Sequence, residues 1–225
     1  VHGPQAIHDA VTGIDSYDAV LRNLAHWQAL KRRKTSLIIN YVITPETAPH
    51  MPHIIDLAAD YGVDAVTFQH ESFLAPAERA AHEHAWQQIH GAPCTLELSH
   101  LQEVPGPDLL ETLGRHIDAA ETHARRRRVN AFFKPALTRE QLRDWYAEPS
   151  RYRGRCSYLY TDLRINPKGE VITCQPIPLP AGSIRERDPL DIFNGDTLRA
   201  FRQGIQQAGG MYPACARCCK LYRRF

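Results

Sequence analysis

Apolar positions recur along this chain at two alternating intervals. Val20, Leu21, Leu24, Trp27 and Leu30 follow helical spacing behind Asp15 and Ser16, either of which can act as an N-cap. The basic run at residues 31–34 suits the C-terminal dipole of that helix. Residues 37–43 are a short apolar run bounded by Ser36 and Pro45, the length of a strand buried on both faces. Pro52 opens a second helix with Ile54, Leu57, Ala58 and Tyr61 on one side and Gly62 at its left-handed end. Residues 63–68 then give a second buried strand. Helices and strands alternating at this density predict βα units and a parallel sheet, because parallel strands need crossover connections. Ahead of these elements, His2-Gly3-Pro4, His8-Asp9 and Thr12-Gly13 read as loop.

Further on, helical spacing predicts helices over 76–90 and 107–123, the second ending in four arginines at 125–128. Residues 94–98 and 129–133 are strand candidates. A short helix over 138–147 is capped by Thr138, and 149–154 reads as a linker. Residues 158–165 alternate as a strand does, 166–169 are a turn and 170–173 return, which predicts a hairpin with Cys156 and Cys174 at its outer ends. A helix from Asp196 through Leu198, Phe201 and Ile205 is broken by Gly209-Gly210 before Cys215-Ala216-Arg217-Cys218-Cys219.

Composition adds limits. With 225 residues and 43 % hydrophobic content the chain can fill one large core or two small ones. Its formal net charge of +2 supplies no whole-chain field for nucleic acid or an anionic membrane. Arginines at a helix C-terminus are an ordinary solvated end, so a nucleic-acid partner is not expected. Neither an apolar run long enough to span a membrane nor a secretory leader is visible, and the expected compartment is the cytoplasm.

Five of the six cysteines lie between Cys156 and Cys219. A hairpin brings its ends together and a CxxC offers two thiolates from one turn, so Cys156, Cys174, Cys215 and Cys218 can converge on one site, with Cys219 as a competing ligand. Metal ligation is favoured over disulfides in that compartment. Spacing alone leaves tetrahedral zinc and an iron–sulfur cluster equally open. Gln69, His70 and Glu71 sit at a strand's C-terminal end, where parallel α/β folds place their chemistry. Asn40, Tyr41 and Thr44 on the preceding strand face either a ligand or the helices. Cys94 reads as a small buried hydrophobe, and His82, His84 and His90 read as surface residues.

The run from Cys156 through Gly169 to Cys174, followed by Gly182-Ser183-Ile184, Ile192-Phe193-Asn194-Gly195 and the closing CxxC, resembles the SPASM or twitch extension of radical S-adenosylmethionine (SAM) enzymes. The N-terminal part resembles the later βα units of that family's barrel, with 37–44 and 63–70 as its fifth and sixth strands. The fold this implies is α/β: the C-terminal half of a radical SAM (β/α)6 partial TIM barrel over 1–148, then a small SPASM/twitch domain of hairpin and helices over 149–225.

The resemblance further implies one auxiliary 4Fe-4S cluster on Cys156, Cys174, Cys215 and Cys218 or Cys219, serving substrate binding or electron transfer. It implies Asn40, Thr44, Gln69 and His70 as contacts for S-adenosylmethionine or substrate. The substrate would be a peptide, protein or small molecule, and the electron donor a flavodoxin or ferredoxin. The family's CxxxCxxC, which binds the catalytic 4Fe-4S cluster and S-adenosylmethionine, does not occur among these residues. Because the chain also opens at Val1 rather than methionine, it is expected to be a C-terminal fragment that is inactive alone. The reading from a different class is a non-catalytic zinc module with four cysteine ligands on an α/β scaffold, serving interaction or stability.

Overall fold

The computed structural model describes residues 1–30, 34–94, 96–97, 102–149, 151, 154–218 and 220–222, with the backbone alone at 221 and 222. It divides into two compact units. The first comprises Val1–Glu71 and Pro105–Arg143, the second Ser72–Val104 and Asp144–Phe225. Packing thus groups Ser72–Val104 with the C-terminal region, whereas the sequence suggested a single division after residue 148.

The elements of the first unit are helices α1 (Gln5–Thr12) and α2 (Tyr17–Ala29), strand β1 (Ile38–Ile43), α3 (Met51–Asp60) and β2 (Ala65–His70). In the second unit α4 (Pro76–His90) follows, before α5 (Pro107–Arg127) and β3 (Ala131–Lys134) return to the first. Helix α6 (Arg139–Ala147) contains the division between the units. The second unit continues with β4 (Arg155–Cys156), α7 (Tyr158–Thr161), β5 (Arg164–Ile165), β6 (Glu170–Ile172), β7 (Pro180–Ser183), α8 (Pro189–Phe193), α9 (Asp196–Gln207) and β8 (Leu221–Tyr222).

In the first unit β1, β2 and β3 are parallel and adjacent in chain order. One face of this sheet is covered; on the other the flanking strands are exposed, while Ala65 and Thr67 of the central strand are buried between them. Ile39, Tyr41 and Ile43 are buried, while Ile38, Asn40 and Val42 between them are exposed. In register, Asn40 stands beside Thr67 and Phe132, and Val42 beside Gln69 and Lys134, so these share the second face. The expectation that 37–43 is buried on both faces is corrected, since only alternate residues are. Helices α3 and α5 cover the buried face and are tied together by Asp56, which accepts from His123 Nε2 at 2.8 Å and pairs with Arg127 Nε at 3.0 Å. Arg127 also pairs with Asp60. Of the arginine run, Arg127 is therefore engaged with carboxylates, as Arg125 is with Glu121.

Residues 5–12, read as loop, form a helix. Pro4 precedes its first turn and Gly13, at φ 70°, ends it, so the punctuation bounded a short helix rather than an irregular segment. Asp9 then accepts from the backbone N–H groups of Ser16 and Tyr17 at 3.0 and 3.1 Å, which starts α2. Thr138 caps α6 as expected: Gln141 N donates to its Oγ1, and Thr138 N donates to Gln141 Oε1. The basic run at 31–33 lies outside the described residues. Cys94, Leu96 and Glu97 are not in a strand.

The hairpin is shorter than its sequence pattern. Asn166 Oδ1 accepts from Lys168 N and Glu170 N, closing the turn between β5 and β6, and β7 adds a third antiparallel strand. Residues 158–161 are a helical turn instead of strand, with Asp162 N donating to Tyr158 O and Leu159 buried in the core. Cys156 is consequently not a hairpin end. It lies on β4, paired antiparallel with β8. Among the described residues no helix is long and apolar enough to cross a membrane.

The core of the second unit gathers Leu74, Trp86, Leu159, Ile177, Phe201, Ile205, Tyr212, Ala214 and Ala216. Gly204 lets Tyr212 close over α9. A Cβ there would stand 2.1 Å from the Tyr212 hydroxyl and 2.7 Å from His90 Nε2, two groups already hydrogen-bonded at 2.7 Å. Gly204→Ala is therefore expected to lower stability by about 1 kcal/mol in urea unfolding, since overpacking at about 1–3 kcal/mol outweighs a helix-propensity gain of about 1 kcal/mol. A more stable variant would contradict this close approach.

Candidate metal centre

Four thiols surround the core of the second unit: Cys94, Cys156, Cys174 and Cys215 are partly buried and pack against the same apolar residues. Different local structures deliver them. Cys156 comes from β4. Cys174 follows β6 in a loop fixed by Thr173, whose hydroxyl donates to Ile177 O, and its own Sγ points at the same carbonyl at 3.8 Å. Cys215 ends a single 3₁₀ turn, donating its N–H to Tyr212 O at 2.9 Å, and Cys218 N donates to Cys215 O at 3.1 Å. Cys218 is half-buried, and Cys219 lies outside the described residues.

Burial and thiol proximity act together on the sulfurs. Burial pushes the Cys174 thiol up to about 12, with Cys156 and Cys94 adding to the rise and Arg164 opposing it. Cys215 is also pushed up to about 12, by burial and then by Cys174. Bare thiolates are disfavoured there, so these sulfurs ionise against a cation and release protons when they bind one.

The turn that presents Cys215 and Cys218 is held by the residue between them. Arg217 has φ 56° and a fully buried side chain. Its guanidinium lies 4.0 Å over the Phe73 ring and donates to Glu78 Oε2 at 2.5 Å, to Phe73 O at 3.3 Å and to Tyr146 O at 2.6 Å. Glu78 in turn accepts from Ala75 N at 2.8 Å, capping the start of α4. The CxxC is thus bolted to α4 and α6 by a charge that sequence reading passed over. A cationic residue inside a CxxC was its visible signal.

Two further readings are corrected. His82 is fully buried, with Nε2 3.2 Å from Cys94 Sγ, and His90 bonds Tyr212, so neither is a free surface group; His84 is exposed. Cys94 is indeed buried in part, but as a fourth thiol of this core.

In the first unit the expected cofactor contacts do not share a face. Asn40 is exposed on the open side of the sheet, and Gln69 falls on that side by register. The Thr44 hydroxyl donates to Glu46 within the loop after β1. His70 points the opposite way, into a cavity of about 410 Å³ with Phe133, Asp118, Glu121 and Arg139, and burial pulls its imidazole down to about 4.

Residues 156–219 match the model of the SPASM family, an iron-sulfur cluster-binding domain. Comparisons with curated proteins and with solved structures returned no match. The segment that carries Cys156, Cys174, Cys215 and Cys218 is thus similar to iron–sulfur cluster-binding domains, and its donor set fits the group: soft thiolates around an apolar floor. Among the described residues no three Cys, His, Asp or Glu side chains are gathered tightly enough to hold one ion.

Removing the Arg217 guanidinium strands the half-buried Glu78 carboxylate and two carbonyls. Arg217→Ala is expected to cost about 3–5 kcal/mol in urea unfolding, and Arg217→Lys, with charge but no fork, to fall in between; an unchanged midpoint for both would contradict the anchor. For His70, the folded value lies below the unfolded one, so its contribution is present above pH 6.5 and is lost as pH falls toward 4. Relative to wild type, His70→Gln should flatten the fall in stability across that window by up to about 3 kcal/mol. Parallel pH profiles would contradict the burial of a neutral imidazole.

Proposed function

We propose that this chain is part of a radical SAM enzyme in which Cys156, Cys174, Cys215 and Cys218 hold an auxiliary 4Fe-4S cluster. The observation that carries the reading is the packing of Cys156, Cys174 and Cys215 against one core within the matched segment. When bound, such a cluster supplies one-electron transfer, because four thiolates leave no iron open to substrate. The protein's part is to hold the sulfurs apart on rigid turns, to exclude water with Tyr212, Leu159 and Ile177, and to fix the CxxC through Arg217.

The first unit supports the enzyme context. Its parallel strands follow chain order, and α3 and α5 lie together on one face, the winding of a (β/α) barrel rather than of a doubly wound sheet. The open face, with Asn40 and Gln69, then corresponds to the barrel interior. There it would meet S-adenosylmethionine or a peptide, protein or small-molecule substrate, with a flavodoxin or ferredoxin as electron donor. His70, on the helix side, shapes the sheet from behind. The CxxxCxxC of the catalytic cluster would be supplied by sequence outside these 225 residues.

Anaerobic reconstitution with iron and sulfide should give a brown chain with about four irons per chain if all four thiolates ligate. Alanine at Cys156, Cys174 or Cys215 should each remove most of that iron at unchanged far-ultraviolet circular dichroism. A colourless chain holding one zinc would establish the zinc module instead.

A further inference from the structure

A cavity of about 680 Å³ lies wholly within the second unit, with Ala216 of the CxxC turn in its wall and no cysteine among its described lining residues. It is a space apart from the thiols. Helix α4 forms one side through Ala77, Ala81 and Ala85, one turn apart on a single stripe. Methyl groups there leave room that longer side chains would fill, while His82 and Trp86 on the adjacent stripe enter the core. Met211 lines another side with a flexible side chain that adapts to what it meets.

The polar part of the wall has one sign. Its charged side chains are Glu78 and Glu148, and no lysine, arginine or histidine lines it among the described residues. Helices α6 and α9 both finish there, at Ala147 and just before Ala208, and helix C-termini favour cations. Glu78 uses Oε2 for both Arg217 and Ala75 N, whereas its Oε1 accepts no hydrogen bond among the described residues. Arg217 offsets the charge of Glu78 but leaves those lone pairs free. Glu148 pairs with Arg151 Nε at 2.6 Å, yet both side chains are well exposed, and a surface pair of that kind contributes little and can be exchanged for another cation.

We propose that this cavity binds a linear aliphatic diamine. One ammonium donates to Glu78 Oε1, the other takes the place of Arg151 at Glu148, and the methylenes lie along Ala81 and Ala85 against Met211. A volume of this order suits a small molecule held between apolar walls by a few fixed polar groups. A carboxylate ligand would meet like charge, and a lysine side chain of a polypeptide offers one ammonium for two acceptors. The site stands whether or not the thiols hold a cluster.

The test titrates the full chain with putrescine and cadaverine by calorimetry, alongside n-pentylamine, pentanediol, glutarate and a blocked lysine amide. The diamines should bind at one site per chain, and the diol and diacid should not bind. Pentylamine and the blocked lysine should bind about tenfold more weakly, from the loss of one charge-assisted hydrogen bond. Ala81→Trp, at an exposed helix position, should abolish binding by filling the cavity. Glu148→Gln should weaken cadaverine about tenfold. The proposal is overturned if no diamine binds, if pentanediol or glutarate binds as well as cadaverine, if the blocked lysine binds more tightly, or if either variant binds as wild type does. The ligand series on wild type decides the matter even if Ala81→Trp does not fold.

Discussion

The guanidinium of Arg217 is the charge on which the second unit depends. It sits between the two cysteines of the CxxC with no exposure to solvent, and its interactions reach Glu78 at the start of α4, Phe73 before it and Tyr146 in α6. A buried cation is tolerable only when such partners replace its water, so those segments must meet wherever the CxxC turn forms. Cys215 and Cys218 thereby gain a fixed position relative to the core. The same packing brings in α4, and with it His82, Trp86 and the Cys94 segment.

The thiols form a graded set around that core. Cys174 and Cys215 are buried enough that proximity to other sulfurs opposes their ionisation, and Arg164 partly offsets this at Cys174. Thiols so placed ionise only against a bound cation. The apolar floor beneath it limits water access and leaves hydrogen bonds to sulfur as the main means of tuning. In the first unit the constraint differs: strand alternation leaves Asn40 and Phe132 exposed on the face opposite α3 and α5, on either side of the buried Thr67.

Sequence revealed the elements whose signals are local. Helices α4, α5 and α6 carry their own punctuation, and Thr138 with Gln141 reads directly as a cap. Helix α1 was missed because eight residues give too few repeats to outweigh Pro4 and Gly13. Residues 158–161 alternate like a strand, but Leu159 is drawn into the core and the backbone closes a turn instead. The cysteine pattern was legible in spacing, while its geometry was not: Cys156 is positioned by pairing with the chain's last described strand. Cys94 was legible as a small buried hydrophobe, but its contact with His82, read as a surface residue, was not, because no local pattern pairs the two. The candidate contacts Asn40 and His70 were separated by strand alternation, which a list of strand-end residues ignores.

The central claim, that this thiol cluster holds an iron–sulfur group, is tested most directly by the Mössbauer spectrum of the chain reconstituted anaerobically with ⁵⁷Fe and sulfide. The expected result is the paired-iron signature of one 4Fe-4S cluster accounting for all bound iron. A spectrum of isolated iron in a single thiolate site, or a chain that retains zinc and no iron, would contradict it.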